Sequence, residues 1–143
     1  MRYREVIHAP LWLLSLIYFF LLSIVISVWA ALGNNSALVT LLLVTSLLFL
    51  FYFKSALTIE VDDTELRVGN AHIEHRYIGE VHNLNNEDVR RVRTRDADPR
   101  AYLAIRFWVN TGVQLFVEDQ RDATPYWLIS SKKGSELIKA VKG

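Results

Sequence analysis

Residues 11–53 read LWLLSLIYFFLLSIVISVWAALGNNSALVTLLLVTSLLFLFYF, and this stretch decides the fold class. It contains no Asp, Glu, Lys, Arg or His. A bilayer core is crossed by about 20 apolar residues in helical form. Leu11–Leu32 supplies one such segment, broken at Gly33-Asn34-Asn35-Ser36 by a polar turn signal. Residues 37–53 supply a second, shorter but long enough to cross if its flanks snorkel. Trp12 and Trp29 stand near the two ends of the first span and Tyr52 near the end of the second, where amphipathic rings favour the membrane interface. A cleaved signal sequence would have a shorter apolar run and a small-residue cleavage site, and no second span would follow at once. A soluble hairpin this apolar on all sides would need a large protein around it.

Outside this stretch the composition changes character. Of 16 basic and 15 acidic residues, only Arg2, Arg4 and Glu5 precede the spans, so residues 54–143 carry equal numbers of each sign. Arg2 and Arg4 flank the first span and Lys54 closes the second, while the intervening turn is uncharged. The excess of basic residues on cytoplasmic flanks therefore predicts both termini in the cytoplasm. Ser15, Ser23 and Ser27 in the first span, with Thr40, Thr45 and Ser46 in the second, are hydroxyl residues that let helices approach and bond. Packing within the hairpin explains them more simply than a seam between copies. The lack of an intramembrane charge leaves no candidate ion path or proton relay. The chain has no Cys, which removes disulfides, thiolate metal sites and Cys nucleophiles from consideration.

The remainder reads as short strands. Residues 57–61 are β-rich, Asp62-Asp63-Thr64 is a turn, 66–68 resume, Gly69-Asn70 turn again, and 71–77 alternate. Val81 to Leu84 continue the sheet after a bend at Gly79. Asn85 or Asn86, followed by Glu87 and Asp88, marks the start of a helix running to about Arg93. Residues 101–109 form the next expected strand. Asn110-Thr111-Gly112 would then turn it into a hairpin with 113–118. Residues 126–130 form a last strand, and Ser131 or Ser135 caps a final helix ending near Val141. The predicted fold is a membrane α-helical hairpin plus an α+β, mainly β, cytoplasmic domain. The anchor occupies residues 1–54 and the domain 55–143. The domain is a small antiparallel sheet or partly open barrel with a C-terminal helix, a layout resembling pleckstrin-homology-like domains.

Several blocks carry a family resemblance: Tyr3-Arg4-Glu5 with Pro10 and Trp12, then Glu65 to Ala71, Ile78-Gly79-Glu80-Val81, Asp98 to Tyr102 and Arg106-Phe107-Trp108-Val109. Thr124-Pro125-Tyr126-Trp127-Leu128-Ile129-Ser130-Ser131 is the most specific. On these the chain resembles the actinobacterial two-helix membrane proteins grouped as domain of unknown function 3093. It departs from them in the Glu118–Ala123 loop, which lacks Asp-Pro pairs, and at Gly134, where a Pro is usual. The resemblance implies a bacterial plasma-membrane protein and brings no activity with it.

Candidate sites follow from residue chemistry. His72 and His75 lie an odd number of positions apart, so in a strand they face opposite ways and do not share an ion. Asp62, Asp63, Glu118, Asp119 and Asp122 could pair as acid and base for hydrolysis. Asp is also the ordinary residue of turns, which explains them at less expense. Arg90, Arg91, Arg93 and Arg95, with Arg100 nearby, are the basic concentration. They suit anionic lipid headgroups, or form a solvated face balanced by Glu87, Asp88, Asp96 and Asp98. Nucleic acid is disfavoured because the domain has no net positive charge. In Phe107-Trp108 and Tyr126-Trp127, adjacent strand residues face opposite sides. Arg106, Trp108, Tyr126 and Trp127 are therefore the candidate partner surface. The expected function is a non-enzymatic, membrane-anchored interaction or scaffold module, such as an accessory subunit of a membrane complex or a homo-oligomer. A lipid-headgroup module is the alternative and a hydrolase a distant third. Membrane lipids and a membrane protein are the expected partners, with no cofactor or metal and no small-molecule substrate identified.

Overall fold

The computed structural model describes residues 3–142; Met1, Arg2 and Gly143 lie outside it, and with Arg2 one of the residues used to orient the hairpin. In chain order the elements are β1 (Tyr3–Ile7), α1 (Leu11–Leu32), α2 (Asn34–Ser55), β2 (Leu57–Val61), β3 (Glu65–Val68) and β4 (Ala71–Glu74). After a 3-10 turn at His75–Tyr77 come β5 (Ile78–Leu84), α3 (Asn86–Arg93), β6 (Tyr102–Ala104), β7 (Gly112–Val117), β8 (Tyr126–Ser130) and α4 (Gly134–Lys142). The chain divides into two compact units: His8–Ala56, and Met1–Ile7 together with Leu57–Gly143.

The first unit is the hairpin. α1 and α2 have 22 residues each, about 33 Å at 1.5 Å per residue. Both are long and apolar enough to cross a membrane. The junction is tighter than the sequence suggests, because Gly33 alone separates the helices and Asn34, Asn35 and Ser36 already belong to α2. Gly33 sits at φ 91°, a conformation open to a residue without Cβ. Trp29 Nε1 donates to Asn34 Oδ1 at 2.6 Å across this reversal. Only Leu13 and Val44 are buried within the pair, so nearly all the apolar surface faces outward. Water would penalise such a surface and lipid would not. The Tyr18 hydroxyl and Thr45 Oγ1 meet at 3.1 Å between the helices. The hydroxyls of Ser23, Ser27, Thr40 and Ser46 instead donate to carbonyls one turn back in their own helix.

The second unit is built on two four-stranded sheets. In the first, β1-β2-β3-β4 is antiparallel throughout. Gly69 makes the β3–β4 turn at φ 60°. The second has the order β5-β7-β8-β6, with β6 parallel to β8. The inner residues of both sheets share one core with Leu137 and Val141 of α4. Leu66, Leu115 and Ile129, all fully buried there, contribute about 1.5–3 kcal/mol each. A second cluster lies on the other face of β8, where Tyr126 and Leu128 meet Leu84 of β5 and Val89 of α3.

Two sequence expectations are revised. Residues 3–7 do not belong with the anchor. They form β1, paired from Tyr3↔Val61 to Ile7↔Leu57, so the hairpin is an insertion between two neighbouring strands of one sheet. Burial of alternate residues Glu5 and Ile7 reflects this. The expected 101–109/113–118 hairpin does not form either. Only Tyr102–Ala104 is a strand, and it lies on the opposite edge of β8 from β7. Residues 105–111 cross the end of β8 instead, held by Arg106 N donating to Ser130 Oγ at 2.8 Å and Thr111 Oγ1 donating to the Ser131 carbonyl at 2.7 Å. The domain is mainly β and mostly antiparallel and ends in a C-terminal helix, as the sequence predicts; its strands lie in two small sheets with no closed barrel, and β6–β8 is a parallel pair. Helix α3 matches its expected span, with Asn85 Oδ1 accepting Asp88 N at 2.9 Å.

Candidate functional site

The α3 helix has one apolar and one cationic side. Val89 is buried and Val92 half-buried against β5 and β8, which fixes the helix with its arginines outward. Glu87 and Asp88 occupy the first turn and Arg90, Arg91 and Arg93 the last. Each sign complements the helix dipole at its end. Among the described residues only Arg91 of these is paired, with Asp88 at 2.9 Å. Elsewhere five arginines of the domain have carboxylate partners: Arg4 with Glu60, Arg67 with Glu65, Arg76 with Glu74, Arg100 with Asp98 and Arg121 with Asp119. Among the described residues, Arg90, Arg93 and Arg95 have no such partner.

Asp98, which the sequence offers as a balancing charge, is engaged in its own loop. Asp98 Oδ1 accepts Arg100 N at 3.0 Å, and this bond with that of the Arg100 side chain holds the Asp98 carboxyl below its usual range. Two shallow depressions flank the arginines. One, of about 310 Å³, is lined by Asn86, Val89, Arg90, Arg93, Thr94 and Asn110, with no carboxylate. The other, of about 480 Å³, is lined by Glu87, Arg90, Arg91, Thr94 and Arg95. Asn86 and Asn110 are site residues that sequence reasoning missed. They read as a helix start and a turn, and only the path of residues 105–111 brings Asn110 to α3.

The aromatic surface expected at Arg106, Trp108, Tyr126 and Trp127 does not assemble. Tyr126 and Trp127 are 7% and 5% exposed. The alternation argument fails because α3 covers the face that would otherwise be open. Tyr126 Oη also accepts Asp98 N at 3.3 Å, tying the 96–98 loop to β8. Trp127 packs on Tyr102, ring centroids 5.0 Å apart. Arg106 is half-buried, and its Nη1 donates to the Ile105 carbonyl at 3.0 Å. Trp108 is half-buried against the main core, with Phe107 edge-on to it. The outward member of that pair is Phe107, 58% exposed.

The acidic loops serve turns: Asp119 Oδ1 accepts Arg121 N at 3.0 Å and Asp122 Oδ1 accepts Thr124 N at 2.9 Å. His72 lies 3.4 Å from Glu65, and His75 Nε2 is 2.7 Å from the Asp62 carbonyl. Among the described residues no group of three or more metal-type side chains gathers.

A separate polar knot holds β1. The Glu5 carboxylate, 9% exposed, accepts Ser131 Oγ at 2.7 Å, Lys132 N at 3.0 Å and Tyr3 Oη at 3.1 Å. Partial burial, then the neighbouring Glu5 charge, push the Tyr3 phenol up from its ordinary value. Every partner of Glu5 is within the fold, so this is a clasp for the N-terminal strand.

A family model described as protein of unknown function (DUF3093) matches residues 2–141. No curated protein and no solved structure matches the chain.

Proposed function

We propose that the chain, which belongs to the DUF3093 family, is a non-enzymatic, membrane-anchored interaction module that engages anionic groups through the arginine face of α3. The observation carrying this is that Arg90, Arg93 and Arg95 lack carboxylate partners among the described residues, while Arg91, Arg100 and Arg121 each have one. Unpaired guanidinium groups keep their full donor capacity for carboxylate or phosphate. The anchor supports the choice of partner. Ile7 and Leu57 are paired neighbours, so both ends of the hairpin return to one side of a bilayer. Arg4 and Lys54 at those ends support a cytoplasmic orientation, where anionic lipids attract nearby basic residues by about 1 kcal/mol each. In a bacterium that bilayer is the plasma membrane.

The test is native mass spectrometry of the full chain after gentle extraction. Anionic lipid should be retained over zwitterionic lipid, and Arg90→Gln/Arg93→Gln/Arg95→Gln should lose that preference. Equal retention of both lipids by the unaltered chain would refute the reading. A protein partner is the second reading. It rests on Phe107 and Leu103, 58% and 52% exposed, in place of the buried Tyr126 and Trp127. It predicts a co-purifying protein that Phe107→Ala releases.

A further inference from the structure

The cleft between α3 and the 105–111 crossover holds more than positive charge. Arg90 and Arg93 are one turn apart on α3, and Asn86 precedes Arg90 by a further turn on the same side. Asn110 reaches the cleft from a different segment. Dipole complementation explains arginines in a last helical turn, but it does not explain a carboxamide brought in from a crossover loop. Thr94 Oγ1 donates to the Arg90 carbonyl at 2.7 Å, leaving its oxygen free to accept and fixing the wall of the cleft. Val89 supplies the floor, no acid lines the space, and its volume of about 310 Å³ sits at the small end of ligand sites, which run from about 300 to 1,000 Å³.

We infer that this cleft is a site for a phosphomonoester dianion, bound by the Arg90 and Arg93 guanidinium groups with the Asn86 and Asn110 carboxamides as further donors. A phosphomonoester carries a charge of about −1.5 to −2 at neutral pH and three strong acceptor oxygens. Two guanidinium forks with two amide donors match that acceptor set and exceed what a phosphodiester with one charge can use. The inference rests on the anionic reading of α3 and narrows it from a charged surface to one headgroup chemistry. The same chemistry is offered by a phosphatidic-acid-type lipid and by a small soluble phosphate ester.

The experiment uses the full chain in phosphatidylcholine nanodiscs, following amide hydrogen exchange over residues 86–94 and 105–111. One arm titrates glycerol 3-phosphate from solution. Another compares discs containing phosphatidic acid with discs containing phosphatidylglycerol at matched total charge. Protection of both segments by phosphatidic acid beyond phosphatidylglycerol, or by glycerol 3-phosphate, is the expected result, and the arm that responds identifies the source. Arg90→Gln/Arg93→Gln should weaken the response about tenfold or more. Asn110→Ala, outside the helix, should weaken it several-fold while leaving the charge of α3 intact. Equal protection by the two lipids at matched charge, with none by glycerol 3-phosphate, overturns the inference and leaves the charged-surface reading standing. No protection by any anion overturns both.

Discussion

Replacing Glu5 by Ala should detach the N-terminal strand from the domain that it completes. Ser131 is fully buried, and its hydroxyl donates to Glu5 while accepting Lys133 N at 3.1 Å. Lys132 N donates to the other carboxylate oxygen. The substitution leaves two inward donors without an acceptor, each costing about 1–3 kcal/mol. Tyr3 Oη is half-exposed and finds water in its place. The expected destabilisation is about 2–6 kcal/mol, of which the isosteric Glu5→Gln, retaining one good acceptor, should show the lesser part. In a domain of this size 1 kcal/mol corresponds to roughly 4–8 °C in Tm, so a fall of about 10 °C or more is expected. The assay is thermal unfolding of the full chain in nanodiscs, with hydrogen exchange over residues 57–61 and 131–137 to localise the loss. A Tm within about 2 °C of the parent for Glu5→Ala, with β2 exchange unchanged, would refute the reasoning.

Trp127→Ala should destabilise the domain by about 3–5 kcal/mol, the usual penalty for emptying a core aromatic site, whereas Phe107→Ala should stay within about 0.5 kcal/mol; chemical denaturation of the two variants separates core from surface. Alkaline titration should find the domain losing stability as pH rises above about 10, because the Tyr3 phenol is raised on folding and a raised group contributes fully below its unfolded value and is lost through its folded one. Tyr3→Phe should flatten that alkaline limb in the same unfolding assay. Tyr18→Phe removes the Tyr18–Thr45 hydrogen bond within the hairpin, which should weaken helix association by about 0.6 kcal/mol, read by exchange of α1 and α2 amides in nanodiscs.

The hairpin was legible because its signal is compositional: an uncharged stretch of this length has few physical solutions. Helix α3 was legible because its cap, its acidic first turn and its Val89/Val92 spacing are local. The membership of β1 was not legible, because its partner lies across the whole hairpin and five residues ahead of a membrane span look like a flank. Only the alternation of Tyr3, Glu5 and Ile7 hinted at it. The path of residues 105–111 was hidden for a related reason. Residues 101–109 have strand composition throughout, and the Asn110-Thr111-Gly112 turn signal is real, but β8 comes later in the chain and takes the place between β6 and β7. Alternation puts one of Tyr126 and Trp127 outward, and it does not register that a helix covers the second face of the sheet. The arginines are visible in composition, but which of them lack partners depends on pairings such as Asp98 with Arg100 that composition does not reveal.

The claim that α3 is an anion-engaging face is tested most directly by hydrogen exchange of the full chain in anionic against zwitterionic nanodiscs at low salt. The account predicts added protection over residues 86–94 in the anionic discs, fading as salt rises and absent in Arg90→Gln/Arg93→Gln/Arg95→Gln. Identical exchange of that segment in both discs at low salt would contradict it.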